Sequence, residues 1–393
     1  MRILFLTYYF RPDLCAGSFR NSSLFEALLQ QIDEGDYVHV IATMPNRYGS
    51  YKVEGLQEES GANYKIDRLP VPMHASGMLE QIKSFSSYFK GVMKKVRQEH
   101  YDMVFASSSR LFTAFLGKCC AVRKKCPLYL DIRDIFVDTM ADLFKNRKLI
   151  RRPIVWSLGQ VERYTFQNAT HINLISGGFR PYFKKYGKPE YSEFSNGIDH
   201  VFVEAGREDS VDRGLPYYIT YAGNIGSGQG LEKIVPALAL ELGENYVFRI
   251  IGDGGTKKLL EDRIVELGVK NVELLKPVAR KDLIRFYKES TFLFFHLNDL
   301  EAFKKVLPSK MFEYGAFDKP IIAGVGGFAA QFVEENIPNH ILFKPTDVDD
   351  CVRQISNYQL RFEHRDEFIK RYSRTSIDEK MAKSIVGVLK NPS

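Results

Sequence analysis

Cysteine is scarce in this chain, and its spacing gives no disulfide framework. Five cysteines occur among 393 residues, without a CxxC pair, and the adjacent Cys119 and Cys120 are poorly placed for a set of disulfides. Few, irregularly spaced cysteines are typical of proteins from reducing compartments. We therefore expect a cytoplasmic protein.

Long apolar segments are missing as well. No run approaches the roughly 20 residues that a helix needs to span a bilayer. The N-terminal segment MRILFLTYYF is short and stops at Arg11-Pro12-Asp13, whereas a secretory signal needs a longer apolar stretch and a cleavage site of small residues. We expect a first β-strand at this position.

Neither sign of charge is in strong excess. The net charge of +7 is modest, and the basic residues are scattered rather than gathered in the dense stripe that a nucleic-acid duplex requires. Such a charge permits an anionic substrate or an acidic membrane surface. We expect no nucleic-acid partner.

Short apolar runs alternate with longer amphipathic runs along the chain, which is typical of parallel sheets covered by helices on both faces. The length is too great for one ordinary core and suits two domains of roughly 180 residues each. Two such series, each starting with a strand, predict an α/β protein with two Rossmann-like domains.

We place the domain boundary in the polar segment KKYGKPEYSE, which carries Gly and Pro. The predicted N-terminal domain covers 1–188 and includes a C-terminal helix within 366–393, and the predicted C-terminal domain covers 189–365. In open parallel sheets, ligands bind beyond the carboxyl ends of the strands, so we expect the functional residues in the loops that follow the strands.

One such loop is rich in glycine. The segment YAGNIGSGQGLEKI (221–234) follows a predicted strand and opens a predicted helix. Its glycines, among them Gly223 and Gly226, allow a ligand to approach the backbone, and the helix N-terminus favours a phosphate. A tight turn that needs positive φ explains the glycines equally well. We interpret a second glycine turn, 252–255, as structural, although Asp253 can equally face a ligand.

The segment VLPSKMFEYGAFDKPIIAG (306–324) carries a hydroxyl, an ammonium and a carboxylate within one turn of a predicted helix. Ser309, Lys310 and the first-turn amides suit a diphosphate. Glu313 would repel that anion, so it is suited to accept hydrogen bonds from hydroxyls such as those of a ribose. A plain capping arrangement is the alternative.

Polar residues also follow two strands of the predicted N-terminal domain. Gly17 would allow a pyrophosphate to approach, and Arg20 offers a cation to a substrate anion, although a solvated helix face is the alternative for Arg20. The end of another strand is crowded by four charged residues, Asp131, Arg133, Asp134 and Asp138. Contact with substrate and a local ion pair with Arg133 both remain open.

Taken together, several motifs resemble those of the retaining glycosyltransferases of family 4. The resemblance covers nearly the whole chain. Within the family, the chain most resembles a bacterial branch that adds sugars, including N-acetylated deoxysugars, in the synthesis of surface polysaccharides. The motifs are PSKMFEYGAFDKPIIAG, YAGNIGSGQGLEKI, IGDGGTKKLLE, FSNGID and TYYFRPDLCAGSFRNSSLFEALL.

The resemblance implies the GT-B fold, with two Rossmann-like domains that face each other across a cleft and a C-terminal helix that crosses back. It implies that the C-terminal domain binds a nucleotide sugar, with UDP favoured, without a metal or other cofactor. The N-terminal domain would bind a glycan or a polyprenyl-diphosphate-linked acceptor. The enzyme would then work in the cytoplasm or peripherally on the inner face of the cell membrane, in the synthesis of capsule or lipopolysaccharide.

By match to the family motifs, Glu313 would hold the ribose, and Ser309 and Lys310 would contact the phosphates, with Lys310 and Glu313 as the catalytic pair. Gly17 and Gly226 would approach the pyrophosphate. The segment LLKPVARKDL (274–283) resembles the base-contacting loop. We further assign Gly223, Asn224 and Pro277 to the donor side and Arg20, Asp131 and Asp134 to the acceptor side.

Three departures from the family pattern stand out. Lys305 replaces a carboxylate that helps to hold the donor sugar in many relatives, unless Asp299 or Glu301 serves instead. Asn224 and Gln229 stand where many members have Arg and Lys. The segment FASSSRLF (105–112) has serines where many relatives have a histidine, so no catalytic base is assigned. In a same-face transfer, the departing phosphate oxygen can itself take the acceptor proton.

Residues 78–97 have the pattern of a basic amphipathic helix. Two interpretations are open: contact with an anionic membrane, or an ordinary helix packed on the first sheet with solvated lysines. At the level of function, a non-hydrolysing nucleotide-sugar epimerase and a non-catalytic GT-B module are the alternatives to a transferase.

Overall fold

The computed structural model describes residues 1–13, 15–45, 55–72, 78–108, 111–144 and 147–390. The chain divides into two compact units. The first consists of Met1–Asn196 and Thr375–Ser393, and the second of Gly197–Arg374.

The described residues form two sheets, the first built from β1 to β8 and the second from β9 to β14. The strands are β1 (Arg2–Thr7), β2 (Tyr37–Thr43), β3 (Glu58–Ser60), β4 (Tyr64–Leu69), β5 (Met103–Ser108), β6 (Leu128–Ile132), β7 (His171–Leu174), β8 (Glu190–Ser192), β9 (Tyr217–Asn224), β10 (Tyr246–Asp253), β11 (Val272–Leu275), β12 (Phe292–His296), β13 (Ile321–Gly324) and β14 (His340–Phe343).

Helices lie between most of these strands. They are α1 (Ala16–Leu29), α2 (Met78–Lys95), α3 (Leu111–Lys124), α4 (Phe136–Leu143), α5 (Lys148–Phe166), α6 (Arg180–Phe183), α7 (His200–Ala205), α8 (Leu231–Leu242), α9 (Lys257–Glu266), α10 (Arg280–Glu289), α11 (Ser309–Gly315), α12 (Phe328–Asn336), α13 (Val348–Ser356), α14 (Asp366–Tyr372) and α15 (Arg374–Lys390).

The sheet of the first unit has the order β3-β4-β2-β1-β5-β6-β7-β8 and is parallel except for the short β3–β4 pair. Its central strands are short apolar runs that are buried along nearly their whole length, as expected for a sheet covered on both faces. Helix α15 packs its apolar residues, including Met381 and Ile385, into the same core as Phe5 and Leu24.

The sheet of the second unit is wholly parallel and has the order β11-β10-β9-β12-β13-β14. Numbered from its own first strand, this is the order 3-2-1-4-5-6 of a Rossmann fold. Both units are therefore Rossmann-like, and the predicted α/β fold class is confirmed.

The chain passes between the units at 196/197 and at 374/375, later than the predicted positions of 188/189 and 365/366. Two contacts account for the difference. Strand β8, just after 188, pairs with β7 and extends the first sheet. Helix α14 stacks Phe368 against Phe312 in the core of the second unit, although α15, the next helix, belongs to the first.

A buried ion pair lies at the carboxyl edge of the first sheet. Arg20 of α1 and Asp131 of β6 are both fully buried, with the Arg20 Nη2–Asp131 Oδ1 distance at 3.0 Å and Nε–Oδ2 at 3.1 Å. Asn173 and Ser107 also donate to the carboxylate, and the guanidinium donates to the carbonyl oxygens of Phe194 and Ser195. Burial alone raises the pKa of Asp131, but the charge and hydrogen bonds of Arg20 outweigh burial and hold the pKa below its ordinary value.

This pair generates a stability prediction. Asp131→Asn leaves the Arg20 guanidinium buried without its counter-charge, so we expect the free energy of unfolding to fall by about 3–5 kcal/mol. Denaturant titration of the two proteins measures the difference.

The matched control is Glu26→Gln, which breaks the exposed ion pair between Arg11 and Glu26. Exposed pairs contribute at most about 1 kcal/mol, so the control should remain close to wild type. If both variants lost equally little stability, the buried pair would not have the structural importance that its geometry indicates.

Candidate functional site

The order of the second sheet reverses between β9 and β12, and ligands of such sheets bind in the crevice beyond the carboxyl ends of the strands at this point. Strand β9 is followed by the glycine-rich segment 225–230, which leads into α8. Strand β12 is followed by a connection that leads into α11. The two segments singled out from the sequence therefore follow the two strands that flank the switch point.

Helix α11 has one face in the core and one face that remains accessible. Met311, Phe312 and Tyr314 are fully buried in the hydrophobic core of the second unit. Lys310 and Glu313 are three residues apart, so they share the opposite face, and both are half-buried. The buried face fixes the position of the two charged side chains.

The ammonium of Lys310 lies against the end of β9. A side chain added at Gly223 would put its Cβ 2.3 Å from Lys310 Nζ, so the lysine occupies the space that the glycine leaves. The ammonium also lies 4.9 Å from the centre of the Tyr221 ring and is hydrogen-bonded to the Tyr221 hydroxyl. That hydroxyl donates to the carbonyl oxygen of Asn224 at 2.5 Å. Gly223 is therefore needed for the placement of Lys310, a role that the sequence did not reveal.

The other glycines of these turns serve mostly to bring backbones together. A Cβ at Gly252 would lie 1.9 Å from the carbonyl oxygen of Gly223, and one at Gly254 would lie 2.3 Å from that of Ile225. The second glycine turn is thus structural, as interpreted from the sequence. Within the first turn, Asn224 Nδ2 donates to Gln229 Oε1 at 2.9 Å across Gly226, so these two amides hold each other.

Glu313 lies in a strongly charged environment. Burial raises its pKa, and the positive charges of Lys310, Arg280 and Arg374 act in the opposite direction. Arg280 and Arg374 both pair with Asp199, the last residue of the FSNGID motif. Asp199 therefore orients two cations that limit the rise of the Glu313 pKa.

The predicted base-contacting loop connects β11 to α10. Its residues 276–279, including Pro277, are exposed, and Arg280 starts the helix with its guanidinium 5.1 Å from the centre of the Phe202 ring. An exposed proline next to a half-buried arginine can contact a planar base. The contact itself remains a prediction.

Lys305, the departure from the family pattern, lies in a short 3-10 turn, Phe303–Lys305, ahead of α11. The two carboxylates that could replace the missing glutamate are already paired. Lys304 Nζ lies 3.4 Å from Asp299 Oδ1 and 2.7 Å from Glu301 Oε1.

The site residues predicted in the first unit mainly contact other residues of the same unit. Arg20 is neither solvated nor open to a ligand, because Asp131 occupies its guanidinium. The positive charge of Arg133 also helps to lower the pKa of Asp131, and the alternative of a local ion pair with Arg133 stays a prediction. A Cβ at Gly17 would lie 2.6 Å from Arg133 Nη1, so the guanidinium fills that space. Asp134 is half-buried and accepts a hydrogen bond from Thr139. A role for these residues in binding stays a prediction.

The serines of 105–112 fall at the end of β5. Ser107 is buried and donates to Asp131 at 3.0 Å. Ser109 and Arg110 lie outside the described residues. Ser107 thus belongs to the buried polar network rather than to an accessible base.

A histidine that sequence reasoning missed joins two loops at the same edge of the second sheet. His296, 1% exposed at the end of β12, has Nδ1 2.6 Å from the carbonyl oxygen of Gln229 and Nε2 2.9 Å from the amide nitrogen of Thr346. The imidazole must donate through Nδ1 and accept through Nε2, so it is neutral. Burial lowers its pKa to about 4.

No group of three or more His, Cys, Asp or Glu residues in the described part of the chain could hold a metal ion. No helix in it is long and apolar enough to cross a membrane.

Comparison with known proteins gives the second unit a family. Residues 204–374 match the family model described as Glycosyl transferases group 1, which covers less than half of the chain. The second unit therefore carries a glycosyltransferase group 1 domain. WcaI of Escherichia coli K12, named as a colanic acid biosynthesis glycosyl transferase, is 25% identical over 334 residues, or 79% of this chain and 80% of that protein.

Solved structures similar to the whole chain are glycosyltransferases of the GT-B class. HepE of Anabaena, solved in complex with UDP and glucose, has a TM-score of 0.66 and 14% identity over 98% of this chain and 99% of its own. WaaG, a glycosyltransferase involved in lipopolysaccharide biosynthesis, has a TM-score of 0.67 and 16% identity over 98% and 100%. At these identities the likeness establishes the fold, and the predicted GT-B class is confirmed.

The neutral His296 generates a pH prediction. Its pKa is near 6.5 when unfolded and near 4 when folded, so the unfolded state binds more protons between these values and stability is lost as pH falls through them. We expect the wild-type chain to lose about 2 kcal/mol more than His296→Gln from about pH 7 to about pH 5, because glutamine can donate and accept without titrating. Denaturant unfolding at several pH values measures this difference.

His100→Gln is the control, since His100 is exposed. It should follow the wild-type pH dependence. Parallel curves for the wild type and His296→Gln would mean that His296 does not hold the two loops in its neutral form.

Proposed function

We propose that this chain is a retaining glycosyltransferase that moves a sugar from a nucleotide-diphosphate sugar, with UDP as the favoured nucleotide, to a glycan or polyprenyl-diphosphate-linked acceptor. The observation that carries the proposal is the accessible face of α11. It presents Lys310 and Glu313 together, beside the glycine-rich turn at the switch point of the second sheet.

The comparisons support the same reaction class. The second unit carries the glycosyltransferase group 1 domain, and the relative WcaI is named for colanic acid biosynthesis. HepE, which is similar in fold, was solved with UDP-glucose. These relatives favour a UDP-sugar donor and a role in surface polysaccharide synthesis, with either a hexosyl or an N-acetylhexosaminyl group transferred.

Lys310 supplies the electrostatic part of the mechanism. When the bond between the sugar and the diphosphate breaks, negative charge grows on the departing phosphate oxygen. A positioned ammonium stabilises that charge more in the transition state than in the ground state, so it accelerates the reaction. The departing oxygen takes the proton of the acceptor hydroxyl, and the new glycosidic bond forms on the same face of the sugar.

Glu313 supplies recognition. A carboxylate accepts hydrogen bonds from the two vicinal hydroxyls of a ribose, and Arg280 and Arg374 limit the rise of its pKa. The exposed segment 276–279 lies next to Arg280 in the chain and would receive the base.

We propose that the reaction needs no metal and no other cofactor, because Lys310 provides the positive charge at the diphosphate.

We further propose that the enzyme contacts the membrane peripherally, but the predicted role of residues 78–97 needs adjustment. Val92 of α2 and Val96, which directly follows it, are fully buried, while Phe85 and Phe89 are half-buried. This is the packing expected of a helix covering the first sheet. Lys95 is not a free surface charge, because it pairs with Glu58 and Asp67. What α2 offers to an anionic membrane is the charge of its exposed residues, such as Lys83, Lys90 and Lys94.

The alternatives have less support. An epimerase would need a histidine and paired carboxylates to move a proton at carbon. At the switch point, both nitrogens of His296 are engaged by backbone groups. A non-catalytic module would have no need of the Lys310 placement by Gly223 and Tyr221.

Nucleotide binding and transfer test the proposal together. Thermal-shift titration with UDP, GDP and other nucleoside diphosphates should give the largest stabilisation with UDP. Incubation with a panel of UDP-sugars and candidate acceptors should then yield a glycosylated product with retained anomeric configuration.

Glu313→Gln should bind UDP more weakly by about 1.5–3 kcal/mol, because a hydrogen bond to a charged group is lost.

The control variant is Glu334→Gln, on the exposed face of α12 in the same unit. Its UDP affinity should equal that of the wild type. Unchanged affinity of a folded Glu313→Gln variant would remove Glu313 from the site, and an epimerised donor without transfer would favour the epimerase. Activity that is lost with a chelator and restored by a divalent cation would contradict metal independence.

Tyr221 generates a separate prediction, since its hydroxyl is hydrogen-bonded to the ammonium of Lys310 and would act on the ligand through it. Tyr221→Phe removes the hydroxyl that holds the ammonium, and we expect kcat to fall about tenfold with KM for the donor little changed, which corresponds to about 1.4 kcal/mol of transition-state stabilisation. In a Lys310→Ala background the same change should have no further effect, because the group it positions is gone.

Tyr218→Phe, in the same strand, is the control and should retain wild-type kcat. Additive losses in the double variant would mean that Tyr221 acts independently of Lys310. Wild-type turnover in Tyr221→Phe would mean that the hydroxyl does not position the lysine.

A further inference from the structure

Helix α5 exposes an unusual set of side chains. Leu149 is 94% exposed, Trp156 is 69% exposed and Tyr164 is 47% exposed. Arg152 and Arg163 are exposed on the same helix. Positions 149, 152, 156 and 163 recur at helical spacing, and Tyr164 borders them, so all five side chains share one side of the helix. We call these five residues the α5 face.

The opposite side of α5 is the one that packs. Glu162, Thr165 and Phe166 are buried there. Helix α5 therefore already has a separate face that packs into the core, and its large exposed apolar side chains are not part of that face. A tryptophan and a leucine on the outer side of such a helix form an apolar surface with no partner among the described residues of this chain.

The charge of the helix has one sign on its accessible side. Glu162 is its one acidic residue, and it is 2% exposed. Its carboxylate accepts hydrogen bonds from the hydroxyls of Tyr182 and Tyr186 at 2.7 Å and from Lys185 at 3.0 Å. The only negative charge of α5 is thus turned inward and engaged, while Arg152 and Arg163 have no ion-pair partner in the described residues.

Aromatic side chains extend the surface from α5 towards α2. The rings of Tyr164 and Phe115 of α3 are 6.1 Å apart, and those of Phe115 and Phe89 of α2 are 6.2 Å apart. Lys118 Nζ lies 5.9 Å from the centre of the Tyr164 ring. The α5 face is therefore continuous with the side of α2 that carries half-buried aromatics, within one side of the first unit.

The chain also brings α5 close to the ligand-binding edge of the first sheet. Strand β6 ends at Ile132, α4 follows within a few residues, and α5 then leads back to the start of β7 at His171. In a parallel sheet this path begins at the carboxyl edge, so the first turns of α5, with Leu149 and Arg152, lie towards that edge.

We propose that the α5 face rests on an anionic lipid bilayer, with Trp156 and Leu149 inserted among the lipid head groups and Arg152 and Arg163 bound to lipid phosphates. Apolar residues in the company of arginines, without an accessible acid, fit an anionic bilayer better than they fit water or a basic protein. The exposed lysines of α2 add charge to the same attachment, but the apolar anchor belongs to α5. This inference rests on the proposed function for its purpose, since it would bring the first unit to a lipid-linked acceptor.

The single tryptophan of the chain makes the proposal directly measurable. Trp156 emission should shift to shorter wavelength when the full chain is mixed with vesicles of phosphatidylcholine containing phosphatidylglycerol. Phosphatidylcholine alone should give little shift, and high salt should reduce it. Bromine-labelled lipid should quench the emission if the indole is inserted. Co-sedimentation with the same vesicles gives the partition coefficient.

Charge reversal separates α5 from other surfaces. Arg152→Glu/Arg163→Glu should lower the partition coefficient by at least about thirtyfold, since each basic residue near an anionic surface contributes roughly fivefold. Lys270→Glu/Lys370→Glu, two exposed lysines of the second unit, makes the same change in net charge and should bind like the wild type. Lys90→Glu/Lys94→Glu on α2 should have a smaller effect than the α5 pair.

Three results would overturn the proposal. The first is a Trp156 emission that does not change with anionic vesicles. The second is an equal loss of binding in the α5 and control pairs. The third is a lipid-independent shift that rises with protein concentration, which would make a second copy of the chain the partner. UDP binding is measured on the same preparations. A chain that binds vesicles but not UDP would refute the proposed function alone, and one that binds UDP but not vesicles would refute this inference alone.

Discussion

Helix α11 is the constraint on which the candidate site depends. Its three fully buried residues, Met311, Phe312 and Tyr314, pack into the core of the second unit and fix the position of the helix. Tyr314 adds a directional tie, because its hydroxyl accepts a hydrogen bond from the amide of Ala222 at 3.1 Å. Because the helix is fixed in this way, the backbone positions of Lys310 and Glu313 are fixed as well. Core packing thus orients the two charged side chains more closely than a flexible loop could.

The charges of the site are arranged around this helix so that each has a counterpart. Lys310 lies on the Tyr221 ring and against Gly223, while Glu313 is influenced by Lys310, Arg280 and Arg374, and Asp199 orients the two arginines. A ligand with a negative diphosphate and a hydroxylated ring matches this pattern of one accessible cation beside one accessible carboxylate. The first unit uses charge differently, because its central pair, Arg20 and Asp131, is closed off from solvent and serves the fold.

The sequence predicted the fold class well because the apolar runs that form the strands are local features of the sequence. Runs such as 3–7 and 218–222 are continuous and apolar, which is typical of strands buried on both faces, and they fall within β1 and β9. The spacing of Lys310 and Glu313 was enough to predict that they share one face of a helix. Their accessibility also follows from the sequence, because the residues between and beside them are large and apolar.

The contacts that the sequence did not predict join distant segments. Arg20 and Asp131 are 111 positions apart, and each was a candidate ligand residue because it lies at or after the carboxyl end of a predicted strand. Only the fold shows that they bind one another. The same holds for Tyr221 with Lys310 and for Asp199 with Arg280. In α5, the sequence shows an ordinary amphipathic mixture, and only the structure reveals that Trp156 faces outward.

A crystal structure of the chain with UDP tests the central claim most directly. The account predicts that the ribose hydroxyls donate to the Glu313 carboxylate, that the diphosphate lies within hydrogen-bond reach of Lys310 Nζ, and that the base contacts the segment 276–279. A nucleotide bound away from α11, with Lys310 still held by Tyr221 and Glu313 without a ligand contact, would contradict it.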